Sequence, residues 1–89
     1  EESMPPTRYT KHAKDQIAFR CLSEASVEAI LKNPHWTTAD PQPGVTRAYG
    51  KAPETGERWV RVAFLVSSDG AMVVLTAHPD RRAKPPGAP

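Results

Sequence analysis

Three groups of side chains in this 89-residue chain could carry chemistry. The first is His12, Gln16 and Arg20, which recur every four residues. On a helix that spacing puts them on one stripe. An imidazole takes or gives a proton near neutral pH, and a guanidinium offers a planar fork that fits a phosphate. Together they suit phosphoryl chemistry, although such a stripe is also the ordinary solvated side of an amphipathic helix. The second group is Thr76 and His78, two residues apart near the end of an apolar run. Residues two apart in a strand point to one side, and Met72 and Val74 would share it. Either the strand leaves the core there or its polar end belongs to a site. The third group is Arg47 and Tyr49, followed by Gly50 and Lys51, with Trp59 and Arg61 on a neighbouring strand. Arginines interleaved with aromatics on a sheet suit the stacking and phosphate contacts of RNA binding. The same residues would also serve cross-strand pairing and solubility.

Several chemistries lack their signatures. There is no CxxC pair and no HExxH, and His12, His35 and His78 are far apart, so no metal site is expected. No G-x-S-x-G and no phosphate-binding glycine loop is present. No cofactor is expected. Cys21 is the single cysteine, so no internal disulfide can form; it reads as a small buried apolar residue. No apolar run is long enough to span a membrane, and no signal peptide is visible. The net charge of +2 permits an anionic partner without demanding one. The densest basic stretch is Arg81-Arg82-Ala83-Lys84. The chain opens Glu1-Glu2-Ser3-Met4, which leans towards a piece of a longer protein.

The elements that must position these groups can be read from period and punctuation. Residues 1–8, with Pro5-Pro6, read as an extended leader. Thr10 to Arg20 reads as a first helix, with Ala13, Ile17 and Cys21 as its apolar side. Ser23 is a good N-cap for a second helix, Leu22 and Val27 have the spacing of a hydrophobic staple, and Val27, Ile30 and Leu31 face the core. Asn33-Pro34 ends that helix. The period then changes. Strands are expected at Trp36–Ala39, Val45–Tyr49, Arg58–Val66 and Ala71–His78, with a loop over 50–57 and a hairpin turn at Ser67-Ser68-Asp69-Gly70. Trp59, Arg61, Ala63 and Leu65 would share one strand face, and Val60, Val62, Phe64 and Val66 the other. Residues 9–80 thus form one domain, and 81–89 a flexible basic, proline-rich tail. Helices followed by strands indicate α+β: two helices on one face of a four-stranded antiparallel sheet, the other face wet or covered by a partner.

The order Tyr9-Thr10-x-His12-Ala13, Arg20, Leu22-Ser23, Asn33-Pro34, Arg47-x-Tyr49-Gly50 and Val74-Leu75-Thr76-x-His78-Pro79 resembles a small bacterial family, the domain-of-unknown-function family numbered 4258. The resemblance spans roughly residues 8–80. In one departure, Gln16 stands where the family usually has arginine. The family looks like a member of the barnase–EndoU–colicin–RelE group of folds, in which two helices precede a four-stranded antiparallel sheet.

That resemblance implies a toxin-type, metal-independent endoribonuclease. The reaction would be attack of a ribose 2′-OH on its own 3′-phosphodiester, which needs a base, an acid and positive charge at the phosphate. His12 and His78 would be the base and acid, with Arg20 beside them. Arg47 and Arg61 would hold phosphate with Gln16, Thr76 would bond a phosphate oxygen, and Tyr49 or Trp59 would stack a base. RNA is then the substrate and a cognate immunity protein or antitoxin the expected partner, with action in the cytoplasm, free or delivered as the end of a larger secreted toxin. The alternative is a non-catalytic module of the same fold that binds RNA, the ribosome or a protein.

Overall fold

The computed structural model describes residues 7–56 and 58–85. Thr10 caps helix α1 (Lys11–Phe19), its hydroxyl accepting the Ala13 N–H at 3.1 Å. The helix ends in a Schellman motif: Leu22 N–H donates to the Ile17 carbonyl (2.9 Å) and Cys21 N–H to that of Ala18 (3.2 Å). Cys21 takes the left-handed position of that motif, φ +59°. This corrects the expectation of a buried cysteine, because the residue that reverses the chain there projects into solvent, and Cys21 is exposed. The turn drives Leu22 inward, where it joins Ile17 and Val27 in the core. One leucine thus closes α1 and staples α2 (Glu24–Lys32), whose N-cap Ser23 accepts the Ser26 N–H.

The strands are β1 (Thr7–Tyr9), β2 (Trp36–Ala39), β3 (Thr46–Ala52), β4 (Arg58–Val66) and β5 (Met72–Pro79), with a 3₁₀ turn (Pro53–Thr55) between β3 and β4. They form one mixed sheet in the order β1-β5-β4-β3-β2. The domain is α+β as expected, but the all-antiparallel four-stranded sheet is corrected. Thr7 to Tyr9, expected at the junction of leader and domain, pair in parallel with Met72 to Val74. A three-residue segment carries too short a pattern to be read as a strand; the free edge of the much longer β5 supplies its partner. Residues 1–6 of the expected leader and 86–89 of the expected tail lie outside the described residues.

The helices cover one face of the sheet. Ala13, Ile17, Leu22, Val27, Ile30 and Leu31 pack on Ala48, Ala52, Val60, Val62, Val74 and Ala77. Val74 and Ala77 are three residues apart, yet both point into this core. A β-bulge allows it: Ala63 pairs with Thr76 and Phe64 with Val74, leaving Leu75 extra in β5. The bulge reverses the alternation, so Thr76 and His78 lie on the face opposite Met72 and Val74. That overturns the simple alternation expected for β5 and sends both polar side chains to the uncovered face. Where β1 ends, α1 takes over the edge of β5: Thr10 N–H bonds the Val74 carbonyl (3.1 Å), Thr10 Oγ1 the Leu75 carbonyl (3.3 Å), and Gln16 Oε1 accepts the Ala77 N–H (3.1 Å).

Candidate functional site

The face that the helices leave bare carries side chains in rows, set by the strand register. Lys51 of β3 lies opposite Trp59 of β4. In the next row Trp36, Tyr49, Arg61 and His78 follow one another across β2, β3, β4 and β5, and in the third Thr38, Arg47, Ala63 and Thr76. Two residues along a strand span roughly 7 Å, so the rows are separated by about that distance. All the face-forming strand residues named in advance therefore meet here: Arg47, Tyr49, Trp59, Arg61, Thr76 and His78.

Arg61 is the hub. Its Nη2 lies 3.0 Å from His78 Nε2, and its Nη1 lies 3.7 Å from Asp80 Oδ2. A guanidinium only donates, so Nε2 is the acceptor. The proton of neutral His78 is then on Nδ1, which lies 2.9 Å from the Pro79 carbonyl. One imidazole lone pair is thus aimed at a cation in the middle of the open face. Arg47 is held by Asp40 (Nε to Oδ2, 2.8 Å). That bond raises the Arg47 pKa, and the neighbouring Tyr49 phenol adds to it. Asp40 is held below the usual carboxylate range, first by the Gln42 N–H and then by Arg47.

Aromatic rings wall one side. Trp36 stacks on Tyr49 with centroids 4.6 Å apart and planes 9° apart, leaving Tyr49 buried. Trp59 meets Trp36 edge-on at 4.8 Å and His35 at 5.1 Å. The Lys51 ammonium sits 4.8 Å from the centre of the Trp59 ring. Two clefts open on this wall. One, of about 470 Å³, is bounded by Trp36, Arg47, Tyr49, Arg61, Arg82 and Lys84; the other, of about 380 Å³, lies over Trp59. Asp80 lines both. Asp80, Arg82, Ala83 and Lys84 wall the first cleft; the last three belong to the stretch expected as a tail. Arg82 N–H bonds Asp80 Oδ1 at 3.0 Å and Ala83 N–H bonds the Asp80 carbonyl at 3.2 Å. Asp80, Arg82 and Trp36 were not among the residues singled out from sequence. Only the aromatic character of Trp36 and the basic run after Pro79 signalled them.

The helix stripe shares no hydrogen bond with these side chains among the described residues. Gln16 is engaged with the backbone of β5, on the helix side of the sheet. His12 and Arg20 are exposed, and the Arg20 guanidinium lies 5.4 Å from the ring of exposed Phe19. Among the described residues no hydrogen bond joins His12, on α1, to His78, whose Nε2 faces Arg61 on the open sheet face. No group of three or more histidine, cysteine, aspartate or glutamate side chains that could hold a metal ion occurs among the described residues.

The family model described as Domain of unknown function (DUF4258) matches residues 9–78. The chain belongs to the DUF4258 family. Comparison with curated proteins and with solved structures finds no significant match. The DUF4258 span runs from Tyr9, the last residue of β1, to His78, so the sheet face with its Arg61–His78 pair is family territory. Asp80 and the basic turn that wall the clefts lie just past it.

Proposed function

We propose that this DUF4258 domain is a metal-independent endoribonuclease of the toxin type, with its site on the open sheet face. The observation that carries the reading is the Arg61–His78 pair: an imidazole with its lone pair at Nε2, 3.0 Å from a guanidinium, amid further arginines and stacked aromatics. A phosphodiester drawn to Arg61 competes for the guanidinium and frees Nε2 to take the proton of the ribose 2′-OH. The 2′ oxygen then bonds to phosphorus while the bond to the 5′ oxygen breaks, giving a 2′,3′-cyclic phosphate. Arg61 and Arg47 stabilise the charge that develops on the phosphate oxygens. The 5′ oxygen takes its proton from the Tyr49 phenol, which flanks Arg61 on the side away from His78 in the same row. His78 returns its proton and Tyr49 regains one through water. His12, outside the cluster, has no part in this scheme. A toxin of this kind acts in the cytoplasm and needs a cognate immunity protein or antitoxin, and occlusion of the sheet face is how that partner would work.

The test is a cleavage assay on total bacterial RNA in excess chelator, with His78→Ala, Arg61→Ala and His12→Ala beside the natural sequence. Discrete fragments ending in 2′,3′-cyclic phosphate are expected, lost in the first two variants and kept in the third. Loss in His12→Ala with an unchanged fold would restore the paired-histidine scheme. A second reading, a non-catalytic module that binds RNA, the ribosome or a protein, is favoured by one feature: Asp40 and Asp80 already match the two central arginines. RNA left intact at high protein concentration would select it.

A further inference from the structure

We infer that the cleft over Trp59 is a second nucleotide subsite, so that the domain takes single-stranded RNA across at least two adjacent nucleotides and excludes duplex. This rests on the RNA reading of the sheet face and adds to it a site and a substrate form. The cleft is bounded by Lys51, Arg58, Trp59, Pro79, Asp80 and Arg81. Its described lining holds three cations, one carboxylate, an indole and a proline ring. That is the composition a single nucleotide asks for: a flat aromatic surface for the base and charge for its phosphate. Its volume of about 380 Å³ is at the scale of one small ligand.

Position supports the same conclusion. Trp59 precedes Arg61 by two residues on β4, so the two side chains project from the same face one row apart. Asp80 borders both clefts and forms an ion pair with Arg61 at 3.7 Å, which puts the Arg61–His78 pair next to the boundary between them. A strand laid along the face would place one nucleotide over Trp59 and its neighbour at Tyr49 and Arg47, with the joining phosphate at Arg61. Stacking requires bases splayed from any partner strand, which a duplex cannot offer. The exposed Lys51 ammonium now lies on the indole. An exposed cation–π contact is weaker than base stacking, so a base displaces it and leaves Lys51 beside the phosphate.

The experiment measures binding apart from cleavage. A labelled hexanucleotide of 2′-O-methyl RNA, which lacks the attacking hydroxyl, is titrated with the natural protein and with Trp59→Leu, Trp59→Phe and Lys51→Glu/Arg81→Glu. The last pair changes exposed charges only, so it reports even if Trp59→Leu fails to fold. Expected are a loss of roughly tenfold or more in affinity for Trp59→Leu and for the charge pair, near-natural affinity for Trp59→Phe, and much weaker binding of the same sequence as a duplex. Tight single-strand binding that neither Trp59→Leu nor the charge pair weakens would overturn the subsite and leave the RNA reading standing. Equal binding of duplex would overturn the single-strand claim. Absence of any binding by the natural protein would sink the RNA reading itself, and the subsite with it.

Discussion

Gln16 shows how closely a single side chain on the helix face is tied to the sheet behind it. Its Oε1 accepts the Ala77 N–H, one residue from His78 and beside the bulge that aims His78 outward. Arginine in its place would offer no acceptor. Gln16→Glu keeps an acceptor and should be tolerated. Gln16→Arg leaves the Ala77 N–H without its partner and should cost about 1–3 kcal/mol. Urea unfolding reads the cost, and faster exchange of the Ala77 amide locates it. The helical stripe itself was legible from the four-residue spacing. Its partner was not, because the bond joins residues 61 apart in sequence and only the folded sheet brings them together. Gly50 is similar. A Cβ there would lie 2.8 Å from Ile30 Cγ1 and 3.2 Å from Cγ2, atoms at the root of a buried, β-branched side chain. The glycine lets α2 approach β3, and Gly50→Ala should overpack that seam by about 1–3 kcal/mol, seen as a lower urea midpoint with unchanged slope.

At the scale of elements, local patterns gave the boundaries and tertiary pairing gave the exceptions. Arg58–Val66 emerges with its expected limits because its alternation is strict, and Ser23 caps α2 because its hydroxyl has a first-turn N–H to accept. The expected loop over 50–57 is shorter, since β3 runs on to Ala52 against β4, and its 3₁₀ turn sends Glu54 back to the N-terminus of α2. There the Glu54 carboxylate accepts from Ser23 N–H (2.8 Å) and Ser26 Oγ (2.8 Å). The β4–β5 turn offers a pH test. Asp69 accepts from the Ser67 hydroxyl and the Ala71 N–H and faces Arg8 of β1. The Ser67 bond foremost, then the Ala71 bond, push its pKa from the ordinary 3.8 down to about 2. A carboxylate depressed on folding stabilises the native state above its unfolded pKa, and that contribution is lost as pH falls through the folded value. The melting temperature of the natural protein should therefore fall between about pH 4 and pH 2 more steeply than that of Asp69→Asn. Parallel curves for the two would remove the turn from the acid response.

For the whole molecule, the order helix, helix, strands announced an α+β domain with one bare sheet face, and Arg47, Tyr49, Trp59 and Arg61 on that face were nameable in advance. What the sequence hid was its charge balance. A net charge of +2 says little about a surface on which Arg47 and Arg61 are each paired with a carboxylate through half-buried contacts. Lys51, Arg58, Arg81, Arg82 and Lys84 around them make no ion pair among the described residues. Single-stranded nucleic acid releases counterions with a slope of about −0.7 in log K against log salt for each phosphate neutralised. Two to five such contacts give a slope of about −1.4 to −3.5. Asp80→Asn and Asp40→Asn each release an arginine to the strand. Each should tighten binding of the non-cleavable hexanucleotide and steepen the slope by about 0.7. A face built for a protein partner through Asp40 and Asp80 would behave the other way. The RNA affinity would stay weak and flat in salt, and sedimentation would show the domain in a complex or a homodimer that buries Arg47 and Arg61. The sign of the Asp80→Asn effect thus decides whether this carboxylate restrains an RNA site or anchors a partner.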